Sequence, residues 1–193
     1  MKTNSELRAQ ARAQLHGAWG TGVGICFVYL LIIVIATVLF GIPILIVGGP
    51  LYLGLAGYFV RRVRGEQVNV GDLFDGFDRF GAAFLLYLLR GIFIFLWTLL
   101  LIIPGIVKIF SYSMAFYILG DNPGMNGCES ITASRKMMNG HKGRLFGLYF
   151  SFIGWILLGI LTLGIGFLWI FPYMLQAEAN FYEELKKNGK PVE

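Results

Sequence analysis

Arg90 and Glu178 stand deep inside long apolar runs of this chain, and Lys108 sits nearer the end of one. A charged side chain at the centre of a membrane-crossing helix costs about 2.5 to 3.5 kcal/mol on insertion scales, so Arg90 needs something to offset it. Glu178 is the one acid well inside an apolar run, and we expect the two head groups to pair, or Arg90 to reach up to lipid phosphate, the alternative being a polar pathway or headgroup site at mid-bundle. Lys108 is close enough to a run's end for its side chain to reach the outer interface. A second chemistry belongs to the densest basic group, Arg135, Lys136, His141, Lys142 and Arg144. Such a group either sets topology or holds anionic lipid headgroups at about 1 kcal/mol per cation. A third belongs to the helix breakers Pro43, Pro104, Gly105, Gly164, Gly166 and Pro172, because interrupted membrane helices free backbone groups that transporters use for binding.

Reactive signatures are missing. The chain has 2 histidines, too few for a multi-histidine metal cluster, and it contains no HExxH, GxSxG, CxxC or GxxxxGK pattern. We therefore expect no metal, no cofactor and no enzymatic activity. Gly20 and Gly24, like Gly143 and Gly147, have the spacing of small residues that let helices approach closely. Cys26 lies inside the first apolar run and Cys128 in a polar linker, which reads as two free thiols. The net charge of +5 comes without a groove-reading motif, so nucleic acid is not expected as a partner, whereas membrane lipids and a second copy of the chain are.

The elements that must position these residues follow from hydropathy. Apolar residues make up 56% of the chain and charged ones 14%, with a mean hydropathy of +0.69, too apolar for a soluble domain. Residues 17–60 carry no charge, 80–120 only Arg90 and Lys108, and 145–182 only Glu178. At about 20 residues per crossing, each run makes two spans. The turns are expected at Gly41-Ile42-Pro43 or Gly48-Gly49-Pro50, at Pro104-Gly105, and at Leu163-Gly164-Ile165-Gly166. All but two of the 16 lysines and arginines lie in the segments between these runs or at the ends, so both ends and both linkers are placed on the cytoplasmic side. The run after Trp19 is too long for the apolar core of a cleavable signal.

Each linker has the pattern of a short amphipathic helix. Thr3-Asn4-Ser5-Glu6 is a capping box ahead of Leu7, Ala11 and Leu15. Asn69 or Asp72 caps a stretch with Leu73, Phe74, Phe77 and Phe80. Asn122-Pro123 opens a third helix with Cys128, Ile131 and Met138 on one face and Gly140 at its end. The units also look repeated: a shift of 65 residues superposes Arg79 on Arg144 and Phe116-Tyr117 on Phe181-Tyr182, and Tyr58-Phe59 closes the first unit, though interfacial aromatics alone would give such pairs. The expected fold is an all-α integral membrane protein, one domain over 1–193, with six transmembrane helices as three hairpins (units of about 1–63, 64–120 and 121–193), cytoplasmic amphipathic helices and an internal threefold repeat.

Several segments carry a family resemblance: Glu6-Leu7-Arg8-Ala9-Gln10-Ala11-Arg12, Asp72-Leu73-Phe74-Asp75-Gly76-Phe77, Ile102-Ile103-Pro104-Gly105-Ile106-Val107-Lys108, Ser111-Tyr112-Ser113-Met114-Ala115, Asn139-Gly140-His141-Lys142 and Pro172-Tyr173. They resemble the bacterial multi-pass membrane proteins catalogued as domain of unknown function 975. The resemblance implies a bacterial integral membrane protein of this size and brings no agreed activity. Interfacial helices and basic clusters without a reactive centre lead us to expect a non-enzymatic protein of the bacterial cytoplasmic membrane that handles or senses amphiphiles such as lipids or hydrophobic peptides. The alternative is a small oligomeric transporter or channel with its polar site near Arg90 and Glu178. The topology has a direct test. In a background lacking Cys26 and Cys128, single cysteines at the three turns should react with an impermeant reagent outside intact cells, and cysteines near Asp75 or Lys136 should not.

Overall fold

The computed structural model describes residues 1–40 and 43–188 and is all-helical, with no strand among the described residues. The elements are α1 (Asn4–Leu15), α2 (Trp19–Phe40), α3 (Pro43–Val63), a 3₁₀ segment (Val70–Arg79), α4 (Phe80–Leu100), α5 (Ile102–Ser111), α6 (Ala115–Asp121), α7 (Gly127–Met137), α8 (Lys142–Phe150), α9 (Ile153–Leu161) and α10 (Phe167–Asn188). Among the described residues 4 stretches are long and apolar enough to cross a membrane: Trp19–Val38, Val70–Leu100, Ile102–Asp121 and Lys142–Leu161. Helices α3 and α10 are as long, 21 and 22 residues, but end in charge.

The breaks show how local chemistry sets these boundaries. Of the two sites expected for the first turn, Gly41-Ile42 lies outside the described residues, Pro43 opens α3, and Gly48-Gly49-Pro50 is inside α3. The break expected at Pro104-Gly105 falls earlier, at Leu101, which is extended at φ −159° and ψ 134°. Pro104 then sits in the first turn of α5, where its missing N–H costs no helical bond. Gly105 serves close packing instead, since a Cβ there would lie 2.3 Å from Thr98 Oγ1. Leu163 (φ 53°) and Gly164 (φ 92°) turn the chain as expected, and Gly166 packs on Gly159.

Two further interruptions fall inside expected spans, at Tyr112–Met114 between α5 and α6 and at Ser151-Phe152 between α8 and α9. Both leave carbonyls that a continuous helix would have used. The amphipathic linker helices supply the donors. Ser134 Oγ of α7 donates to the Ser111 carbonyl at 2.8 Å, and Arg8 Nη1 of α1 donates to the Ser151 carbonyl at 2.9 Å.

Helix α1 has the expected capping box at Thr3 and Glu6 and buries Leu7, Ala11 and Leu15. The Thr3 backbone N–H and hydroxyl hold the Glu6 carboxyl below the usual carboxylate range. Asn69 caps the 3₁₀ segment with Asp72. Leu73 is buried there, but Phe74, Phe77, Phe80 and Phe84 form an outward-facing ladder of neighbouring rings. The third linker helix starts later than Asn122-Pro123: Asn122 ends α6, and Asn126 with Glu129 caps α7, leaving Cys128 exposed.

Helix α3 is the hub, packed on α2, the 3₁₀ segment, α4, α6 and α10. Interfacial placement was the competing explanation for the paired aromatics, but all six are buried in the core, and Tyr117 stacks on Tyr182 at 5.5 Å between centroids. Exposed apolar residues instead cover α2 beyond Phe27, the α4–α5 turn from Ile92 to Ile109, and the stretch from Ile153 to Ile165. The 3₁₀ segment meets α3 backbone to backbone: a Cβ on Gly54 would lie 2.0 Å from the Leu73 carbonyl oxygen, and one on Gly76 would lie 1.9 Å from that of Pro50. Backbone cannot yield as a flexible side chain can. Gly54→Ala and Gly76→Ala should each cost more than about 2 kcal/mol or prevent folding, read as thermal stability in detergent. Gly57→Ala, with nothing within 4 Å of its Cβ position, should be neutral or stabilising.

Candidate functional site

Helix α10 presents its polar residues inward. Gln176, Glu178, Asn180, Glu183 and Glu184 are all buried, at the helical spacing that puts the first and third on one face and the last two a turn further on. Burying a carboxylate is costly unless it is paired and hydrogen-bonded. Gln176 bonds Gln14 of α1 at 3.0 Å, Glu183 takes Arg64 at 2.6 Å, and Glu184 takes Arg144 at 3.3 Å. Asp121, at the end of α6, gathers Arg64 at 2.6 Å, Lys186 at 2.7 Å and the Tyr182 hydroxyl at 2.8 Å. Beside this network a pocket of about 370 Å³ lies between α3, the 3₁₀ segment and α6, with Arg61, Arg79 and Asp75 in its wall. Its charges are largely spent on one another: Arg61 pairs with Asp75 at 2.7 Å, and Arg79 caps the Asn122 carbonyl at 2.9 Å.

Glu178 and Arg90 behave differently. Neither ion-pairs with the other among the described residues, which corrects the expected contact. Glu178 accepts from the Tyr149 hydroxyl at 2.8 Å, with Tyr117 also beside it. The Arg90 guanidinium stands over two rings, 5.6 Å from the Phe116 centroid and 6.0 Å from that of Tyr52. A phenol donor and a pair of π faces each compensate a buried charge locally, so neither residue needs direct contact with the other. They remain within electrostatic reach.

Arg90 also belongs to an open groove of about 640 Å³. Tyr29, Tyr52, Tyr87 and Phe116 form one part of its wall, and Ile92, Ile94 and Phe95 form another. Ile92 and Phe95 are exposed, so the groove opens onto the apolar surface. Among the described residues no carboxylate or carbonyl engages the Arg90 N–H groups.

The expected basic cluster divides. Arg144 turns inward, to Glu184 and to the Lys2 carbonyl at 2.6 Å. Arg135 and Lys136 are exposed on the last turn of α7, while His141 and Lys142 are half-buried where α8 begins. Lys108 stacks its ammonium 4.5 Å from the Trp97 ring centroid. Pro172 lies inside α10, buried near Gly22. Sequence reasoning missed Tyr149 and Tyr52, which carry no charge to draw attention. It also missed the inward stripe of α10, whose signal was the spacing of Gln176, Asn180, Glu183 and Glu184. The coupling partner of Glu178 can be tested. A thermal double-mutant cycle of Glu178→Gln with Tyr149→Phe should give about 1 to 3 kcal/mol of interaction. The cycle with Arg90→Leu should give clearly less, and the reverse order would restore the direct pair.

No curated protein and no solved structure matches this chain. One family model does, over residues 1–111 and 99–189, which together take in almost the whole sequence. The matching segments include the capped α1, the 3₁₀ segment on α3, the α4–α5 turn and the inward-facing α10. The chain belongs to the family described as Protein of unknown function (DUF975).

Proposed function

We propose that this chain is a non-enzymatic protein of the bacterial cytoplasmic membrane that handles or senses amphiphiles, with the Arg90 groove as the place of contact. The observation that carries this reading is the groove itself. Its volume of about 640 Å³ lies in the range of small-ligand sites, and its wall passes from a guanidinium and three tyrosines to exposed alkyl groups. A molecule with an acidic head and an aliphatic tail matches that gradient. Trp97 lies seven residues beyond Arg90 on the same face of α4, about 10 Å along the helix, where a tail would run.

The topology that goes with this reading is six crossings in three hairpins with both ends cytoplasmic. It is supported by four apolar stretches and by the charge at the ends of α3 and α10. Internal repetition has new support. Arg79 reaches the Leu119 carbonyl and Arg144 reaches Glu184, each across 40 residues and at positions that the 65-residue shift superposes. The contacts Gly105 on Thr98 and Gly166 on Gly159 also share one spacing. A second reading, a small oligomeric transporter or channel, draws on Glu178 lying buried within electrostatic reach of the groove.

The test uses 9,10-dibromostearate and a variant keeping only Trp97. The acid should quench Trp97 fluorescence in neutral detergent, and its methyl ester should quench much less. Arg90→Gln should weaken the acid's effect by about tenfold or more. Equal quenching by acid and ester would refute headgroup recognition at Arg90, and proton- or solute-driven flux in vesicles that Arg90→Gln abolishes would favour transport.

A further inference from the structure

A second site adjoins the far end of that groove, sharing Trp97 with it but having cations of its own. Lys108 of α5, Arg135 at the end of α7 and Lys142 at the start of α8 are far apart in sequence, and two contacts bring them together. Ser134, next to Arg135, bonds the Ser111 carbonyl, one turn along α5 from Lys108, at 2.8 Å. Phe146, one turn along α8 from Lys142, packs on Phe110 at 5.8 Å between centroids. The charges of Arg135 and Lys142 consequently act on Lys108. Among the described residues none of the three pairs with a carboxylate, although Lys108 has the Trp97 ring.

Three like charges gathered without a counterion repel one another, and the more so the less water surrounds them. The surrounding surface is not watery. Trp97, Val107, Ile109 and Phe146 are exposed apolar side chains on the same flank. Lys108 lies seven residues from the α4–α5 turn at Leu101, about 10 Å by helical rise. A cation cluster on an apolar flank is matched by an anion that arrives on an apolar tail.

We propose that Lys108, Arg135 and Lys142 form a binding site for the phosphate of an anionic phospholipid. This departs from the basic cluster legible in the sequence: Arg144, committed to Glu184, leaves it, Lys136 and His141 are not among the three, and Lys108 joins it beside the linker helices instead of at the outer interface expected for it. The proposal rests on the chain being embedded in a membrane and not on the Arg90 groove.

The test is retention of phosphatidylglycerol against phosphatidylcholine by protein purified in neutral detergent, read by native mass spectrometry. The unaltered protein should keep phosphatidylglycerol preferentially. Arg135→Gln with Lys142→Gln should reduce retention by about tenfold or more, at about 1 kcal/mol per cation. Lys186→Gln with Lys187→Gln, which removes the same charge from exposed positions at the end of α10, should leave it unchanged. The charge-keeping pair Arg135→Lys with Lys142→Arg should restore retention and thereby exclude misfolding as the cause. Equal losses in the two charge-removing pairs, or no preference for phosphatidylglycerol, would overturn the site. Stabilisation by inorganic phosphate matching that by phosphatidylglycerol would assign the triad to a soluble anion and sink the lipid proposal.

Discussion

Backbone groups inside an apolar environment must find partners within the protein, and this chain breaks its helices where that demand is hardest to meet. The interruptions after Ser111 and at Ser151-Phe152 each expose a carbonyl, and each is closed by a side chain from a linker helix. Two of the linker helices therefore supply structural donors. Beyond these bonds, α7 packs against α4 and α6, and α1 against α10. The arrangement also fixes register: Ser134 and Arg8 each satisfy one carbonyl.

The same demand organises α10. Its second half would be a poor membrane helix and a poor surface helix, with acids and amides facing inward. It is accommodated because each buried carboxylate of that half meets a partner from a different element: Tyr149 of α8 for Glu178, Arg64 after α3 for Glu183, and Arg144 of α8 for Glu184. Buried pairs of this kind add little net stability against apolar replacements, but removing one member strands the other. Their consequence is specificity of packing. Arg90 is the exception, a cation set over two rings without an ion-pair contact among the described residues and left facing a groove.

Much of the architecture was legible in the residues because hydropathy and capping are local. Thr3 with Glu6 and Asn69 with Asp72 mark their helices as expected, and Gly164 turns the chain with a positive φ. What local patterns could not supply was which charge meets which. Glu178 and Arg90 matched by depth and sign, yet a neutral phenol and two aromatic faces satisfied them separately. The aromatic pairs misled for a similar reason. Tyr and Phe suit a membrane interface and a protein core equally well, and the packing of α6 and α10 on α3 decides for the core. Asn122-Pro123 looked like a helix start, but the capping box at Asn126 and Glu129 was the stronger signal.

The position of α1 has a consequence for biogenesis. Its partners arrive at the far end of the chain: Lys2 bonds Glu184 across 182 residues, Gln14 meets Gln176 across 162, and Arg8 closes the Ser151 carbonyl across 143. At ribosomal rates α1 waits on the order of 10 s for the residues that dock it. Until then the Ser151 carbonyl and the acids of α10 have no lid, and the earlier helices must enter the bilayer without the contacts that later lock them. The docking of α1 thus depends on α10 and the α8–α9 break being in place, so its contacts are late ones in the order of synthesis.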